Sequence, residues 1–488
     1  MVIESLKYKI LQQFGFAPTQ EQGQALDTFV SFLTDRDPQA VMILRGSAGT
    51  GKTSLSGAIV RTLLQIRQKV MLLAPTGRAA KVFSLGSGAP AYTIHRRIYR
   101  EKAFAGVDGQ FGLNDNLYTD TLFMVDEASM IANMGLGGTT FGSGCLLDDL
   151  VKFVYQGHND RLLLIGDKAQ LPPVGEEESP ALSASVMEGY GLKVYECDLN
   201  EVLRQSQSSG ILYNATLIRQ MITHDAVTGL PLIRFKGFAD IVMMPGAELV
   251  ESLGDSYHHV GMDETMVITR SNKRANIYNN GIRNMVLDRE EELSSGDMLM
   301  IVKNNYFWTE KEKKESGEGS AGAVPAFLAN GDRAKVLRVS NYIELYGFRF
   351  ATLLLQLPDY DDYEMQVTGM LDTLQSEAPA LTHEQQEELF RQVEEDYQHF
   401  VPLKADRMKS IRQDAYFNAQ QLKYAYAVTC HKAQGGQWAH VYVDQGYMTD
   451  DMLTPDYIHW LYTAFTRATD KLFLVNWPKE QTCEPTDL

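Results

Sequence analysis

Three short segments carry residue types whose spacing suits phosphate chemistry. Gly46-Ser47-Ala48-Gly49-Thr50-Gly51-Lys52-Thr53 has the G-x-x-x-x-G-K-[ST] spacing of a phosphate-binding loop. Its glycines let successive backbone N–H groups turn inward around phosphate oxygens, and a following helix offers its positive end to the same anion. In such a loop Lys52 reaches the β/γ-phosphates and the Thr53 hydroxyl meets Mg²⁺. Asp126-Glu127 is an acidic pair that can divide two jobs. Asp126 can hold Mg²⁺ through water, while Glu127 polarises the water that attacks a γ-phosphate. In Gly166–Gly175, reading GDKAQLPPVG, a tight turn and a rigid double proline fix the Gln170 amide where it can sense that phosphate.

The elements that position these residues are legible. Val41–Leu44, Val70–Leu73, Leu122–Val125 and Leu162–Ile165 are apolar runs bounded by turn signals, as expected of strands buried on both faces. Leu55–Lys69 has the length of a crossover helix. The first ~200 residues therefore read as a doubly wound parallel α/β domain, with ligands beyond the carboxyl ends of the strands. All three chemical segments follow such ends.

Ile98–Thr121 breaks the rhythm as a small β-hairpin projection, and Asn133–Gly144, NMGLGGTTFGSG, reads as a mobile surface loop. Met266–Thr269, Val441–Val443 and Leu472–Val475 are predicted strands of a second α/β sheet. Between them lies an insertion. It contains Thr309–Gly322, whose composition reads as a linker, and strand patterns at Ala334–Val339 and Phe348–Leu357 that suggest a small barrel. A helix follows, with Thr382 and Gln385 as a capping box and Leu389, Val393, Tyr397 and Phe400 as an apolar stripe.

The bulk numbers bound the class. A chain of 488 residues with 44% hydrophobic content can bury about three cores. No apolar run reaches the ~18–20 residues of a spanning helix and MVIESLKYKI lacks a signal-peptide block, so no membrane and a cytoplasmic location are expected. Cys145, Cys197, Cys430 and Cys483 form no C-x-x-C pair, which suits reduced thiols better than a zinc or iron–sulfur site. The net charge of −17 argues against nucleic acid only until it is located: Asp359–His399 holds twelve acidic residues against Arg391 alone. The rest of the chain is mildly acidic and can carry a basic groove.

The ordered segments resemble the motor core of superfamily 1 helicases, and within it the RecD-like and Dda-like group, superfamily 1B. Pro18-Thr19-Gln20-Glu21-Gln22 is similar to the adenine-recognising Q motif, which implies that Gln22 reads the base. Ala74–Lys81 resembles motif Ia, and Thr93-Ile94-His95-Arg96 the TIHR signature. Asp126-Glu127 resembles motif II, Gly166–Gly175 motif III and Leu199–Gln205 motif IV, with Arg204 directed to the γ-phosphate. Val428–Gly435 resembles motif V, and Leu461–Ala468 motif VI, with Arg467 as arginine finger. The resemblance implies catalysis by Lys52, Asp126, Glu127, Gln170, Arg204 and Arg467. It implies nucleotide binding by Gln22, Gly46, Ser47, Ala48, Gly49, Thr50, Gly51, Lys52, Thr53, Ser54 and Gly435, with Mg²⁺ on Thr53 and Asp126. Pro75, Thr76, Arg78, Lys81, Thr93, His95, Thr429 and His431 are expected to contact DNA. Phe104 and Phe111 of the hairpin can stack on bases or part a duplex, or simply pack the hairpin.

The expected architecture is α/β: two RecA-like parallel-sheet P-loop NTPase domains with a hairpin insertion and an SH3-like β-barrel insertion. Expected domains are 1–97 with 121–205 for the first RecA-like unit, 98–120 for the pin, 206–294 with 419–488 for the second, and 295–418 for the barrel and acidic helix. Motif V departs from the family pattern, with Ala433 in place of Ser or Thr and Gly436-Gln437-Trp438 in place of Ser-Glu-Phe. The Q motif begins by residue 18, which favours a free-standing Dda-like enzyme over a RecBCD-type subunit. The resemblance implies an ATP- and Mg²⁺-dependent 5′–3′ DNA helicase of repair, recombination or replication. Such an enzyme acts as a monomer on single-stranded DNA and its junctions with duplex, beside single-stranded-DNA-binding or repair proteins. The alternatives are a translocase that remodels protein–DNA complexes without unwinding and a nucleotide-dependent scaffold.

Overall fold

The computed structural model describes residues 2–105, 108–135, 141–201, 208–223, 229–316, 324–325, 327–401, 403–449 and 452–483, with the side chains of 2–4, 101–110, 223 and 316 left out. In chain order the strands are β1 (Ala40–Gly46), β2 (Lys69–Ala74), β3 (Ala91–Thr93), β4 (Tyr99–Ala105), β5 (Asp108–Leu113), β6 (Thr121–Val125), β7 (Arg161–Gly166), β8 (Lys193–Leu199), β9 (Ile241–Met244), β10 (Thr265–Thr269), β11 (Met298–Ile301), β12 (Arg333–Leu345), β13 (Phe348–Leu357), β14 (Tyr363–Met370), β15 (Gln420–Tyr424), β16 (Ala427–Thr429), β17 (Trp438–Asp444) and β18 (Ala468–Val475). The chain divides into two compact units, Met1–Gly246 with Ala433–Leu488, and Ala247–Lys432.

The first unit is built on a parallel sheet in the order β3-β2-β6-β7-β1-β8. The register pairs Val41 with Leu162 and Val194, and Leu72 with Met124. Every residue of β6 and β7 is buried, so both faces must be covered. Ile10, Leu26, Phe29, Phe32 and Leu63 pack one face, and Ile94, Ile98, Leu147, Leu150 and Phe153 the other. The central strands β1, β6 and β7 deliver Gly46, Asp126 and Asp167 at their carboxyl ends. The expected hairpin is present as β4 and β5, with Tyr99 opposite Leu113. In the same unit β17, β18 and β9 pair in parallel, in that order.

In the second unit β10 pairs in parallel with β16, and β11 to β15 close a five-stranded barrel. The fold class is therefore α/β, with two RecA-like folds and a barrel insertion, as expected. Two sequence expectations need correction here. The first half of the expected linker is helical: Phe307–Ser316 is anchored by Trp308, whose indole N–H donates to the Asn418 carbonyl at 2.9 Å, and Thr309 is buried. The helix His383–Gln398 starts at the expected Thr382/Gln385 capping box, but it ends before Phe400, which is 79% exposed. Its buried stripe is Leu389 and Val393; Tyr397 is half-buried and donates its hydroxyl to Asp414.

Candidate active site

The phosphate loop is shaped by local backbone demands. Gly49 and Gly51 adopt φ of +77° and +81°, where a Cβ is strained. A Cβ on Gly46 would lie 2.9 Å from Thr50 Oγ1 and 3.0 Å from Leu199 Cβ, so only glycine lets the loop turn this tightly. The Thr50 hydroxyl closes the turn on the Ser47 carbonyl at 2.8 Å. Lys52 Nζ donates to the carbonyls of Gly46 and, at 2.9 Å, of Ser47. Thr53 and Ser54 stand exposed on the first turn of the helix Lys52–Gln65.

Gln22 sits beside this loop. Its amide oxygen accepts from Thr19 N in a capping box, and its amide nitrogen donates to the Thr50 carbonyl at 2.9 Å. Both ends are engaged by protein, so here Gln22 ties the helix Gln20–Leu33 to the phosphate loop.

The acidic pair follows β6 directly. Glu127 takes φ of +52°, the left-handed conformation that costs a non-glycine residue of order 1 kcal/mol. Asp126 Oδ1 accepts the Glu127 amide at 2.9 Å. Burial, and then the neighbouring Glu127 charge, push the Asp126 carboxyl up to about 7, while Lys52 pulls it the other way. A half-buried carboxylate short of positive charge, with the hydroxyl of the phosphate loop, makes a hard oxygen donor set that fits Mg²⁺. Thr53 and Asp126 are the residues present to hold it.

Motifs II, III and VI meet through one amide. In the orientation that satisfies both ends, the Gln170 nitrogen donates to Glu127 Oε2 at 3.2 Å and its oxygen accepts from Arg467 Nη2 at 3.2 Å. Arg467 is 2% exposed and also donates to the carbonyls of Thr463 and Gly436, each at 3.1 Å. Leu171 is clamped on both sides: its N–H donates to Thr463 Oγ1 at 2.8 Å, and its carbonyl accepts from the Gln434 amide at 2.7 Å. Arg204 lies outside the described residues.

Two contacts at the loop were not foreseen. The Tyr462 hydroxyl accepts from the Ala48 amide, and an Arg219 Nη1–H donates to the Ser47 hydroxyl. Tyr462 stands inside motif VI, where its hydroxyl was a readable signal. Arg219 comes from the helix Gly210–Thr223, outside every motif, and only its cationic type pointed to it.

The expected DNA residues divide. Thr76 and Thr93 are N-caps, accepting from Ala79 N and Arg96 N, so their hydroxyls already serve helix ends. Pro75 and Lys81 are half-buried on the same edge. Arg78 donates to the Gln437 carbonyl at 2.7 Å and lies over the Trp438 ring at 5.4 Å, which gives the unusual Gly-Gln-Trp a packing role. Gly435 has φ of +72°, and a Cβ there would stand 2.9 Å from Ala79 Cβ, so its glycine answers to motif Ia. His95 packs between the rings of Tyr99 and Phe141, and burial pulls it down to about 4, leaving it neutral. Phe111 stacks on Phe141 at 4.8 Å, so that face of its ring is covered. The Phe104 side chain lies outside the described residues. In the second unit Thr429 ends β16 half-buried, and His431 is exposed on the helix Cys430–Ala433.

Of the Asn133–Gly144 loop, residues 136–140 lie outside the described set, and both flanks are anchored. The Asn133 and Met134 amides donate to Glu176 Oε1 at 2.6 and 2.8 Å, and Phe141 packs on His95, Tyr99 and Phe111.

A phosphate loop, an acidic pair, a sensing amide and a distant arginine converging in one unit define a P-loop NTPase of the helicase class. Residues 17–229 match the family described as AAA domain, and residues 424–475 the UvrD-like helicase C-terminal domain. Within that class the chain is similar to the superfamily 1B, RecD-like helicases. It is similar to an uncharacterized protein of Methanocaldococcus jannaschii, at 24% identity over 93% of this chain and 38% of that one. It is also similar to the ATP-dependent RecD2 DNA helicase of Deinococcus radiodurans, at 30% identity over 32% of this chain and 18% of that one. The chain thus spans well under two thirds of either relative. Among solved structures it resembles the Bacteroides Pif1 helicase in complex with ADP-AlF3 and ssDNA, at 13% identity, 96% of this chain, 95% of that one and a TM-score of 0.46. The Candida albicans Pif1 helicase resembles it at 16% identity, 96% and 97% coverage and a TM-score of 0.42. No helix among the described residues is long and apolar enough to cross a membrane.

Proposed function

We propose that this chain is an ATP- and Mg²⁺-dependent DNA helicase that moves 5′ to 3′ along single-stranded DNA. The observation that carries the reading is the hydrogen-bonded series Glu127–Gln170–Arg467, which links the acidic pair to the arginine of motif VI. Lys52 and the loop amides hold the β/γ-phosphates, and Gln22, released from Thr50, reads the base. Glu127 takes the proton of the water whose oxygen attacks the γ-phosphorus as the bond to the β–γ bridging oxygen breaks. Arg467 and Arg204 supply positive charge to the terminal phosphate. Thr53 and Asp126 would hold Mg²⁺, which would supply positive charge to the phosphate oxygens. When Arg467 turns to phosphate, Gln170 loses one partner, and Glu127 and the motif V backbone feel the change. That is the step from chemistry to movement along a strand.

In this reading residues 98–120 are the wedge, residues 295–418 the strand cover, and Arg78, Lys81, Thr429 and His431 the phosphate contacts. The relative from Deinococcus radiodurans, named an ATP-dependent DNA helicase, supports the substrate class. The deciding experiment is strand displacement on duplexes with a 5′ or a 3′ single-stranded tail. Unwinding with ATP from the 5′ tail alone is expected. Unwinding from the 3′ tail would overturn the polarity, and DNA-stimulated hydrolysis without displacement would leave a translocase.

A further inference from the structure

The helix Gly210–Thr223 belongs to none of the motifs above, yet Arg219 carries its charge to the phosphate loop. Its Nη1–H donates to the hydroxyl of Ser47, the second residue of the loop, and its charge is felt at the Tyr462 phenol that holds the Ala48 amide. The helix packs on Pro455–Phe465, the helix of motif VI. Arg219 therefore reaches the Ser47-Ala48 corner from the side that also delivers Tyr462.

The Lys52 ammonium rests on the Gly46 and Ser47 carbonyls. Arg219 rests on a neutral hydroxyl of the same two-residue stretch. A phosphate oxygen is ionised, and pairing a guanidinium with it adds an ion-pair attraction and a bidentate geometry that a neutral hydroxyl lacks. A triphosphate therefore outcompetes the Ser47 hydroxyl for Arg219 and the loop carbonyls for Lys52. Arg219 also offers a planar fork of donors on a stem that moves by rotamer change, without moving its helix.

We infer that Arg219 is a further phosphate ligand of the nucleotide site, contacting the terminal phosphate of a bound nucleoside triphosphate and so distinguishing triphosphate from diphosphate. The inference rests on the reading of Gly46–Thr53 as the seat of ATP. During hydrolysis Arg219 donates hydrogen bonds to the non-bridging oxygens and exchanges no proton, because a guanidinium stays protonated. The competing role, bracing Ser47 within the loop, treats both nucleotides alike.

Equilibrium binding of ATPγS and of ADP, measured without DNA alongside thermal unfolding, separates the two for Arg219→Gln, Arg219→Lys and Ser47→Ala. The expected result is that Arg219→Gln binds ATPγS about 10- to 100-fold more weakly while ADP changes by less than about twofold. Arg219→Lys, which keeps the charge and loses the fork, shows a smaller loss of the same selective kind. Ser47→Ala removes the hydroxyl that Arg219 meets and keeps the charge, so its effect on the two nucleotides is equal. An equal loss for both nucleotides in the arginine variants, or a Ser47→Ala profile matching that of Arg219→Gln, overturns the inference. Since no DNA is present, an ATPase indifferent to single strands refutes the helicase reading and leaves this one to be judged on the binding data.

Discussion

The hydroxyl of Tyr462 donates to Asp167 Oδ2 at 2.6 Å while accepting the Ala48 amide at 2.9 Å. One buried phenol therefore fastens motif VI to motif III and to the phosphate loop. Burial and the Asp167 charge raise the phenol well above its ordinary range, so it remains a donor at any working pH. Tyr462→Phe leaves a carboxylate that is 4% exposed, and one loop amide, without this partner. The expected cost is about 1–3 kcal/mol of unfolding free energy in a urea titration. A variant as stable as the parent would show that the contact is not made in solution.

The side-chain amide of Gln170 has Glu127 and Arg467 as its partners. Replacing it with alanine should leave the KM for ATP within about threefold and lower kcat about 100-fold, the signature of an interaction made in the transition state. An equal rise in KM with kcat unchanged would instead make Gln170 a ground-state binding residue.

How much of this site was legible depended on whether neighbours in space were also marked in sequence. Gly46–Thr53, Asp126 and Gln170 follow apolar strands directly, so period and turn signals located them. Their convergence with Arg467 across nearly 300 residues followed only from the family resemblance. Three features carried no local mark. Phe141 sits in a glycine-rich stretch that reads as solvent loop, and only the rings of His95, Tyr99 and Phe111 give it a place. Trp308 and Asn418 are 110 residues apart, so the helix they anchor looked like a charged linker. Arg219 obeys only the ordinary pattern of its helix. The expectation that His95 meets DNA likewise rested on residue type, and the rings of Tyr99 and Phe141 beside it carried no mark in sequence.

The surroundings of His95 have a measurable sign. His95 is pulled from 6.5 down to about 4 by burial, so between those values the unfolded chain binds a proton that the folded one refuses. Its contribution to stability is fully present above about 6.5 and is lost as pH falls towards 4. His95→Gln should flatten this part of the pH–stability curve of the first unit. It should also leave the salt dependence of single-stranded DNA binding unchanged at pH 6.5, since a neutral ring releases no counterion. A reduced salt slope in that variant would restore His95 as a phosphate contact.

Asp332, in the second unit, works in the opposite direction. It is wholly buried; Oδ2 accepts from the Tyr360 hydroxyl at 2.6 Å and from Ala329 N at 2.7 Å, and Oδ1 has no partner. Burial, and then the Asp359 charge, raise it from 3.8 to about 7. Between those values the folded state holds a proton that the unfolded state has released, so stability falls as pH rises from about 4 to 7. The full shift corresponds to about 4 kcal/mol as an upper bound. Asp332→Asn, neutral at every pH, should stabilise this unit at pH 8 and show little difference at pH 4. A constant offset across that range would mean that Asp332 keeps its charge when buried.

The hairpin gives the sharpest contrast between packing and function. Phe111 is paired with Phe141, at 4.8 Å and 18° between ring planes, and Gly142 N donates to the Phe111 carbonyl at 2.7 Å. If that stacking holds the hairpin to the body of the unit, then Phe111→Ala and Phe141→Ala have the same consequence. Each loosens the base of the proposed wedge. Both variants should lose duplex unwinding while keeping ATPase stimulation and affinity for single strands. A double-mutant cycle in stability should give a coupling of about 0.5–1.5 kcal/mol, the value for an aromatic pair beyond simple burial. If Phe111 instead stacks on bases, Phe111→Ala alone weakens single-strand binding, by about 1–3 kcal/mol for a lost base stack, and Phe141→Ala does not. Comparing the two alanine variants in a single-strand binding titration decides which surface of the ring does the work.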